Sequence, residues 1–249
     1  MTAEISRIER AAQLAWPALE DVRDGHWVAR FARGYTKRAN SIQSFDVADD
    51  ADAGSRIDDL ASRYRAAGLK PVFRVTPLAG SGIIAALDER GWTPFETSLV
   101  LAMDMDGEAL PVPVKTRFFE PTDPEWRQGE AVLAGYDAAT ADTLGAILNR
   151  LSVPARGILV YDEADDPVGA ALAVNAEGMA IFLNVVVDKA MRGRGYGRAV
   201  MHAALNWTRE SGATQAALQV LADNEAAIAL YRSLGFADAY SYHYRRPSS

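Results

Sequence analysis

The sequence predicts a mixed α/β protein of two similar lobes, each a mostly antiparallel sheet flanked by helices. Three observations predict this class. Apolar runs joined by short turn sequences indicate antiparallel strands within residues 156–188. Apolar side chains then recur at the spacing of one helix face, from Val200 to Trp207. After this helix follow a strand, a helix ending at Gly235 and a final strand with alternating side chains. These elements add a crossover βαβ unit to the antiparallel strands.

The elements of the second half follow from local patterns. Strands are predicted where runs rich in Val, Ile and aromatic residues lie between turn sequences such as ADDP and AEG. The last helix is stopped by Gly235, which suits a left-handed C-cap. In chain order the predictions are a strand at 114–120, helices at 124–136 and 140–152, strands at 156–163, 168–176 and 179–188, a helix that carries Val200 to Trp207, a strand at 214–221, a helix at 224–236 and a strand at 239–246.

The first half repeats part of this pattern. Its predicted elements are a helix at 57–70, a strand at 71–77, a helix at 81–92 that contains Gly91 near its end, and a strand at 97–104. The order helix, strand, helix, glycine, aromatic residue and strand is the same in both halves. We interpret this order as a degenerate internal repeat, although two unrelated αβ units could share it.

A proline-containing segment separates the two halves. Pro111 and Pro113 exclude a helix or a central strand, since proline lacks the backbone N–H and has a fixed φ. We therefore predict a first lobe at 1–104, a linker at 105–113 and a second lobe at 114–249.

Composition argues against several classes of protein. The 249 residues carry a net charge of −7, whereas binding to nucleic acid or to an anionic membrane needs a basic surface. The same charge slightly favours a cationic substrate such as an amine. The chain has no cysteine, and therefore no disulfide, thiolate metal site or cysteine nucleophile. No apolar run is long enough to span a membrane, and the N-terminal residues lack the pattern of a secretory signal, so a cytoplasmic protein without a metal ion is expected.

The motif RGRGYGRAV, residues 192–200, lies between a predicted strand and a predicted helix. Its glycines let backbone N–H groups approach an anion closely, and the helix dipole adds to their field. A dinucleotide-binding fingerprint that starts at the first of these glycines would need glycine where the chain has Arg198. A phosphate-binding G-x-x-x-x-G-K-[ST] motif is absent. The motif that fits is Arg-x-x-Gly-x-Gly, formed by Arg192, Gly195 and Gly197.

This loop and the downstream segment LQVLADNEAAIALYRSLGF resemble the GNAT (GCN5-related) N-acetyltransferase family. The resemblance covers the whole second lobe, and the first lobe resembles the degenerate half of a tandem GNAT protein. It implies two GNAT-like lobes and acetyl-CoA as the acetyl donor. The strand backbone at Val185, Val186 and Val187 would bind the pantetheine arm, and Asn224 would contact the end of that arm. The pyrophosphate would be bound by loop amides, which belong to Arg192, Gly193, Arg194, Gly195, Tyr196, Gly197 and Arg198.

The resemblance also assigns a catalytic residue. Tyr231 corresponds to the tyrosine that protonates the leaving thiolate, and it lies two helical turns after Asn224, on a similar face. The alternative interpretation of Tyr231 is a buried aromatic residue of the core. The resembling subgroup has a glutamate where this chain has Gln219, and a glutamine cannot accept the proton of the amine. The nearby carboxylates by sequence are Asp188, Glu177 and Asp223. None of them matches a base of the family, so the identity of the general base stays open.

The first lobe has a different predicted task. Leu87 stands at the position of Tyr231, and residues 47–58 are acidic where the second lobe has arginines. Because acidic side chains repel a pyrophosphate, we expect no acetyl-CoA binding there. Residues 25–45 contain two aromatic strand segments and are expected to line an acceptor pocket between the lobes.

Two functions remain after these observations. The first is an N-acetyltransferase that transfers an acetyl group from acetyl-CoA to a primary amine by direct attack in a ternary complex. The second is a non-catalytic acyl-CoA sensor, in which Gln219 in place of the glutamate base reflects a loss of catalytic activity. A nucleotide-binding oxidoreductase is disfavoured by the missing glycine at position 198. The expected partner is a small-molecule or peptide amine acceptor. We expect no binding to nucleic acid or to a membrane. The protein is expected to be a monomer or a homodimer.

Overall fold

The computed structural model describes residues 2–248. These residues form eleven strands in one sheet, together with seven α-helices. The strands are β1 (Glu20–Asp24), β2 (Trp27–Phe31), β3 (Ile42–Ser44), β4 (Phe73–Val75), β5 (Trp92–Asp104), β6 (Thr116–Phe119), β7 (Ala155–Tyr161), β8 (Pro167–Ala176), β9 (Met179–Val187), β10 (Gln215–Leu221) and β11 (Ala237–Pro247). The helices are α1 (Thr2–Ala15), α2 (Ala53–Ala66), α3 (Ser81–Glu89), α4 (Pro124–Ala134), α5 (Ala138–Leu148), α6 (Tyr196–Glu210) and α7 (Glu225–Ser233).

The sheet order shows that the two halves exchange strands. The order is β1-β2-β3-β4-β11-β5-β10-β9-β8-β7-β6, so β5 lies between β10 and β11, and β11 lies between β4 and β5. The pairs β3–β4 and β9–β10 are parallel, while the other pairs are antiparallel. Each half therefore contributes one strand to the interior of the other half's sheet. Strands from both sides of residues 105–113 lie in this one sheet. The division of the chain into two lobes at 105–113 stays a prediction.

The predicted repeat is present in the order of the elements. In the first half β3, α2, β4, α3 and β5 follow one another, as β9, α6, β10, α7 and β11 do in the second half. The turn after each last helix contains a glycine with positive φ, which is 66° at Gly91 and 100° at Gly235. Both glycines precede a buried aromatic residue, Trp92 or Phe236. The order that the sequence predicted is therefore the order of the structure.

Helix α1 was not assigned from the sequence. It belongs to the first half, but it packs against β8 and β9 of the second half. Ile8 and Ala11 on its inner face are buried in the same cluster as Leu172 and Ile181. The buried carboxylate of Glu9, on the same helix, pairs with the buried guanidinium of Arg74 in β4. The first half is therefore joined to the second by side-chain packing as well as by the sheet.

The segment 105–113 contains no helix or strand, as its prolines predicted. It lies against α6, where the Leu110 N–H donates to Asn206 Oδ1 and the Asn206 Nδ2 donates to Leu110 O, both at 2.8 Å. His202 Nδ1 lies 2.7 Å from Pro111 O. This segment is therefore held against the helix by polar contacts.

Alternating side chains of the central strands build two cores. Helices α1, α4 and α5 cover one face, which receives Leu172 and Val174 of β8. Helices α6 and α7 cover the other face, which receives Ala173 of the same strand and Phe182 of β9. Such alternation is expected of strands, whose successive side chains point to opposite faces. No helix among residues 2–248 is long and apolar enough to cross a membrane.

Candidate active site

A bulge in β9 opens the sheet next to the predicted site. Strand β9 pairs with β10 only from Met179 to Phe182, although it continues to Val187. The β8–β9 register shifts between Leu183 and Val186, and Asn184 within this bulge has a φ of 51°. Bulges bend a strand and interrupt its pairing. The carboxyl end of β9 therefore keeps β8 on one side and leaves its other backbone edge without a strand partner among the described residues.

A cavity of about 310 Å³ lies at this opening. Eight of the predicted site residues line it, and they come from the end of β9, the following loop, α6 and α7. These residues are Val185, Val186, Val187, Arg192, Gly193, Gly197, Asn224 and Tyr231. The remaining lining residues are apolar and were not predicted: Met191, Ala226, Ala227 and Leu230. The structure thus brings together two sequence segments, 185–197 and 224–231, that lie about 30 residues apart along the chain.

The loop before α6 presents backbone N–H groups that have no acceptor within residues 2–248. The first N–H group of this region with a backbone acceptor is that of Ala199, which donates to Gly195 O at 3.0 Å. Gly193 and Gly195 have φ values of 77° and 89°, which side chains with a Cβ rarely adopt. A Cβ on Gly197 would lie 3.2 Å from Leu230 Cδ2, so this glycine lets α6 approach α7 closely. Unpaired N–H groups at the start of a long helix form a binding site for an anion.

The other predicted loop residues lie outside the cavity lining. Tyr196 packs its ring against a small apolar cluster that includes Val200. The Arg198 guanidinium donates to Ser233 Oγ at 2.8 Å, which connects α6 to α7. Gly195 forms the left-handed N-cap of α6, and Arg194 is exposed. These four residues shape or surround the loop, while Arg192 and its neighbours face the cavity.

Asn224 and Tyr231 are positioned by α7. The Asn224 side chain caps this helix by accepting a hydrogen bond from the Ala227 N–H at 3.2 Å, a role that sequence reasoning did not assign. Its side-chain amide nitrogen donates no hydrogen bond within residues 2–248. Tyr231 is 7% exposed and packs edge-on against Phe236. Burial raises the pKa of Tyr231 to about 12, so its phenol carries a proton at neutral pH.

The carboxylates that were considered from the sequence do not line the cavity. Asp188 caps a turn by accepting from the Ala190 N–H, Glu177 lies in the β8–β9 turn, and Asp223 lies just before α7. Gln219 accepts a hydrogen bond from the Tyr242 hydroxyl at 3.0 Å. None of these three carboxylates lines the cavity, and neither does Gln219, so the general base stays open.

Glu130 of α4 is a carboxyl group that the sequence reasoning missed. It is fully buried, and its Oε1 accepts from Asn184 Nδ2, in the bulge, at 2.6 Å. Its Oε2 has no partner among the described residues. Burial raises the pKa of Glu130 to about 7, and the Asn184 amide offsets this only in part. Its position four residues after the buried Trp126, on the inner face of the helix, is the signal that could have found it.

A second cavity, of about 200 Å³, lies between the halves beside the carboxyl end of β10. The predicted wall segment 25–45 contributes Thr36, Lys37 and Arg38 to it, and β10 contributes Gln219. Leu218 and Val220 pack in the α6–α7 core, so the intervening Gln219 points to the opposite face of the sheet. The two cavities share no lining residue, and only the second is lined by residues of β10.

Comparison with known proteins agrees with this architecture. The model of the family described as "Probable histone acetyltransferase Rv0428c C-terminal" matches residues 2–245. The chain belongs to this family. It is 26% identical over 246 residues to a Bacillus subtilis protein named uncharacterized N-acetyltransferase YobR, covering 97% of this chain and 98% of that protein. It is 30% identical over 166 residues to the mycothiol acetyltransferase of Renibacterium salmoninarum, covering 58% of this chain and 49% of that protein.

Solved structures share the fold. A GCN5-related N-acetyltransferase from Kribbella flavida aligns with a TM-score of 0.72 at 18% identity, over 100% of this chain and 96% of that one. A tandem GNAT protein from the clavulanic acid biosynthesis pathway aligns with a TM-score of 0.63 at 16% identity, over 77% of this chain and 68% of that one. The expected mixed α/β class and the resemblance to GNAT proteins are confirmed. The chain is an acetyltransferase of the GNAT type.

Proposed function

We propose that this acetyltransferase transfers the acetyl group of acetyl-CoA to a primary amine by direct attack in a ternary complex. The observation that carries the proposal is the cavity at the end of β9, where a free strand edge adjoins unpaired loop amides. A strand edge suits the amide groups of a pantetheine arm, since added strands bind through main-chain hydrogen bonds. The loop amides at the start of α6 suit a pyrophosphate, since they add the helix dipole to their hydrogen bonds.

The residues around the cavity fit this donor. Val185, Val186 and Val187 would present their backbone groups to the pantetheine arm, and Asn224 would donate its side-chain amide to the end of that arm. Arg192 lies in the lining beside the loop amides, where its charge would strengthen hydrogen bonds to phosphate oxygens. The predicted contacts of residues 192–198 thus have a physical basis in unpaired donors and positive charge.

Tyr231 would act as the general acid of the transfer. The amine nitrogen bonds to the carbonyl carbon of the thioester, the carbon–sulfur bond breaks, and the sulfur keeps the electron pair. Tyr231 donates its phenolic proton to this sulfur, the nitrogen releases a proton to water, and water returns a proton to the phenolate. Protonation of the sulfur as the carbon–sulfur bond breaks avoids a free thiolate in the buried site, and general acid assistance of this kind contributes about 10²–10⁴-fold to the rate.

Direct attack by the amine fits the composition of the chain. The sequence has no cysteine, so no acyl-cysteine intermediate can form. The second cavity is separate from the donor cavity, which would leave room for donor and acceptor at the same time. A ternary complex of protein, donor and amine is the arrangement that this geometry favours.

A matched pair of glycine variants tests donor binding. Gly195 and Gly212 lie at opposite ends of α6 with φ values of 89° and 92°, and both have open space where a Cβ would lie. Gly195→Ala and Gly212→Ala should therefore cause similar backbone strain. We expect only Gly195→Ala to weaken acetyl-CoA binding, by about tenfold or more, because it displaces the loop amides. Isothermal titration calorimetry measures the two dissociation constants.

The outcome separates two functions. Equal effects of the two glycine variants would contradict the placement of the pyrophosphate. Acetyl-CoA binding without acetylation of any amine would favour the acyl-CoA sensor, for which Gln219 in place of glutamate is the sequence observation. Thiol release in the presence of an amine, with formation of the acetylated amine, would support the transferase.

A further inference from the structure

We propose that the acceptor amine carries an oxyanion, a carboxylate or a phosphate, which is bound by the Arg38 guanidinium in the cavity between the halves. This inference rests on the proposed function, since it names the class of amine that this transferase would acetylate. It concerns a residue of the first half, which therefore selects the substrate for the second half.

The position of the cavity makes it suitable for the acceptor. It extends from Gln219, at the carboxyl end of β10, to Arg38, on the far wall. The buried residues Tyr242 and Tyr244 also line it. At about 200 Å³ it is smaller than most ligand pockets, which indicates a small amine or the end of a larger one.

Within residues 2–248, one charged group of the cavity has no salt-bridge partner. Lys37 Nζ lies 2.9 Å from Glu96 Oε2, which neutralises both groups at the cavity wall. In the adjoining wall, Arg30 and Arg74 each bind a carboxylate of the protein. Arg38 lines this cavity and also a smaller neighbouring one that contains Arg30 and Arg74. It forms no salt bridge with any residue in the described part of the chain. Its guanidinium packs over the Trp16 ring at 5.8 Å, which holds its position without neutralising its charge.

An unpaired, half-buried guanidinium indicates an anionic partner. Arginine presents planar donors that match carboxylate and phosphate oxygens in two parallel hydrogen bonds. The walls of the cavity formed by Lys37, Arg38 and Glu96 carry a net positive charge, which disfavours polyamines and lysine-rich peptides. This local charge is opposite to the net charge of −7 of the chain, so total charge is a poor guide to the acceptor.

The test compares amines that differ only in their charged group. With acetyl-CoA, thiol release is measured for ω-amino acids of two to six carbons, their carboxamides, phosphoethanolamine, spermidine and a lysine-rich peptide. We expect the carboxylate or phosphate amines to exceed their neutral analogues by about tenfold or more in kcat/KM, as a charge-assisted hydrogen bond allows. In Arg38→Gln this ratio should fall to about one, while Arg38→Lys should keep part of it.

Two controls distinguish selectivity from folding and from donor binding. Arg63→Gln removes an exposed arginine of α2 and should leave the ratio unchanged. The dissociation constant of acetyl-CoA should be the same in Arg38→Gln and in the wild type. Binding of the N-acetylated products, measured by calorimetry, should show the same loss in Arg38→Gln without any turnover.

The results also separate this inference from the proposed function. Preference for spermidine, the peptide or the neutral amides would overturn the inference, as would failure of every oxyanion-bearing amine to be acetylated. An oxyanion preference that persists in Arg38→Gln would overturn the role of Arg38. Absence of acetyl-CoA binding would instead overturn the proposed function.

Discussion

The two halves share one order of elements, but they differ at the start of their equivalent helices, α2 and α6. Before α6 the loop amides are unpaired and open onto a cavity. The carboxylates of the loop before α2 bind elsewhere: Asp50 Oδ2 accepts from the Gly82 N–H, at the start of α3, at 2.8 Å, and Asp49 Oδ1 accepts from the Arg56 side chain at 2.8 Å. The loop before α2 thus carries carboxylates, whereas the loop before α6 carries glycines and arginines. Because carboxylates repel a pyrophosphate, we expect only the second half to bind acetyl-CoA, although both halves keep the same order of elements.

The equivalent helices α3 and α7 also differ, in the side chain at one aligned position. Leu87 and Tyr231, which the repeat aligns, are both buried in apolar cores. Only Tyr231 combines burial with a hydroxyl group and a position at the wall of a cavity. The packing role is therefore common to both halves, while the proposed acid role is possible only for Tyr231.

The largest expected effect comes from removing this hydroxyl. Tyr231→Phe keeps the ring contact with Phe236 and should lower kcat by about 10²-fold or more, because the leaving thiolate loses its acid. The dissociation constant of acetyl-CoA should not change. Steady-state kinetics and calorimetry measure the two quantities, with Leu87→Phe as the control in the first half. A fall in donor affinity without a fall in kcat would mean that Tyr231 is only a core residue.

A second contrast concerns the buried carboxyl groups of the halves. Glu9 in the first half is paired with the Arg74 guanidinium, whereas Glu130 in the second half accepts from the neutral Asn184 amide and forms no salt bridge within residues 2–248. Burial raises the pKa of Glu130 from 4.5 to about 7, so the folded protein holds this proton more tightly than the unfolded chain. Its contribution to stability is therefore present at low pH and is lost as the pH rises through about 7.

This contrast predicts a pH-dependent difference between Glu130→Gln and the wild type. At about 1.4 kcal/mol per pKa unit, the wild type should lose about 3 kcal/mol of unfolding free energy relative to the variant between about pH 4.5 and pH 8. Urea unfolding at a series of pH values measures this difference. Glu210→Gln, at an exposed position of α6, should show no such trend. A parallel pH dependence of the wild type and Glu130→Gln would show that the carboxyl is not protonated in the folded protein.

The smallest expected effects compare the polar groups at the starts of α3 and α7. Asp50→Ala and Asn224→Ala each remove a side chain that accepts from a first-turn N–H group, which should cost about 1 kcal/mol of unfolding free energy. Only Asn224→Ala should also weaken acetyl-CoA binding, because only that side chain lines the cavity. Denaturant unfolding and calorimetry on the same samples would separate the two effects. Loss of donor affinity in Asp50→Ala would instead show that the first half takes part in donor binding.

Much of the site could be predicted because its signals are local. The glycine-rich loop lies at a strand-to-helix junction, and Asn224 and Tyr231 are placed by the period of one helix. The predicted elements 168–176, 179–188 and 214–221 agree closely with β8, β9 and β10, since buried strands are short apolar runs bounded by turns. Helix α1 was not assigned, although its inner face is buried by strands more than 150 residues away. Its partners could not be inferred from neighbouring residues.

By itself, the sequence determined the order of the helices and strands, the repeat and the loop before α6, because these depend on residues that are neighbours along the chain. The tertiary structure alone decided the exchange of β5 and β11 between the halves, the bulge at Asn184, and the placement of Glu130 and Arg38 beside the site. These features depend on pairing and burial between distant segments. Whether a charged side chain is buried, paired or left free depends on residues that meet it only in the folded protein.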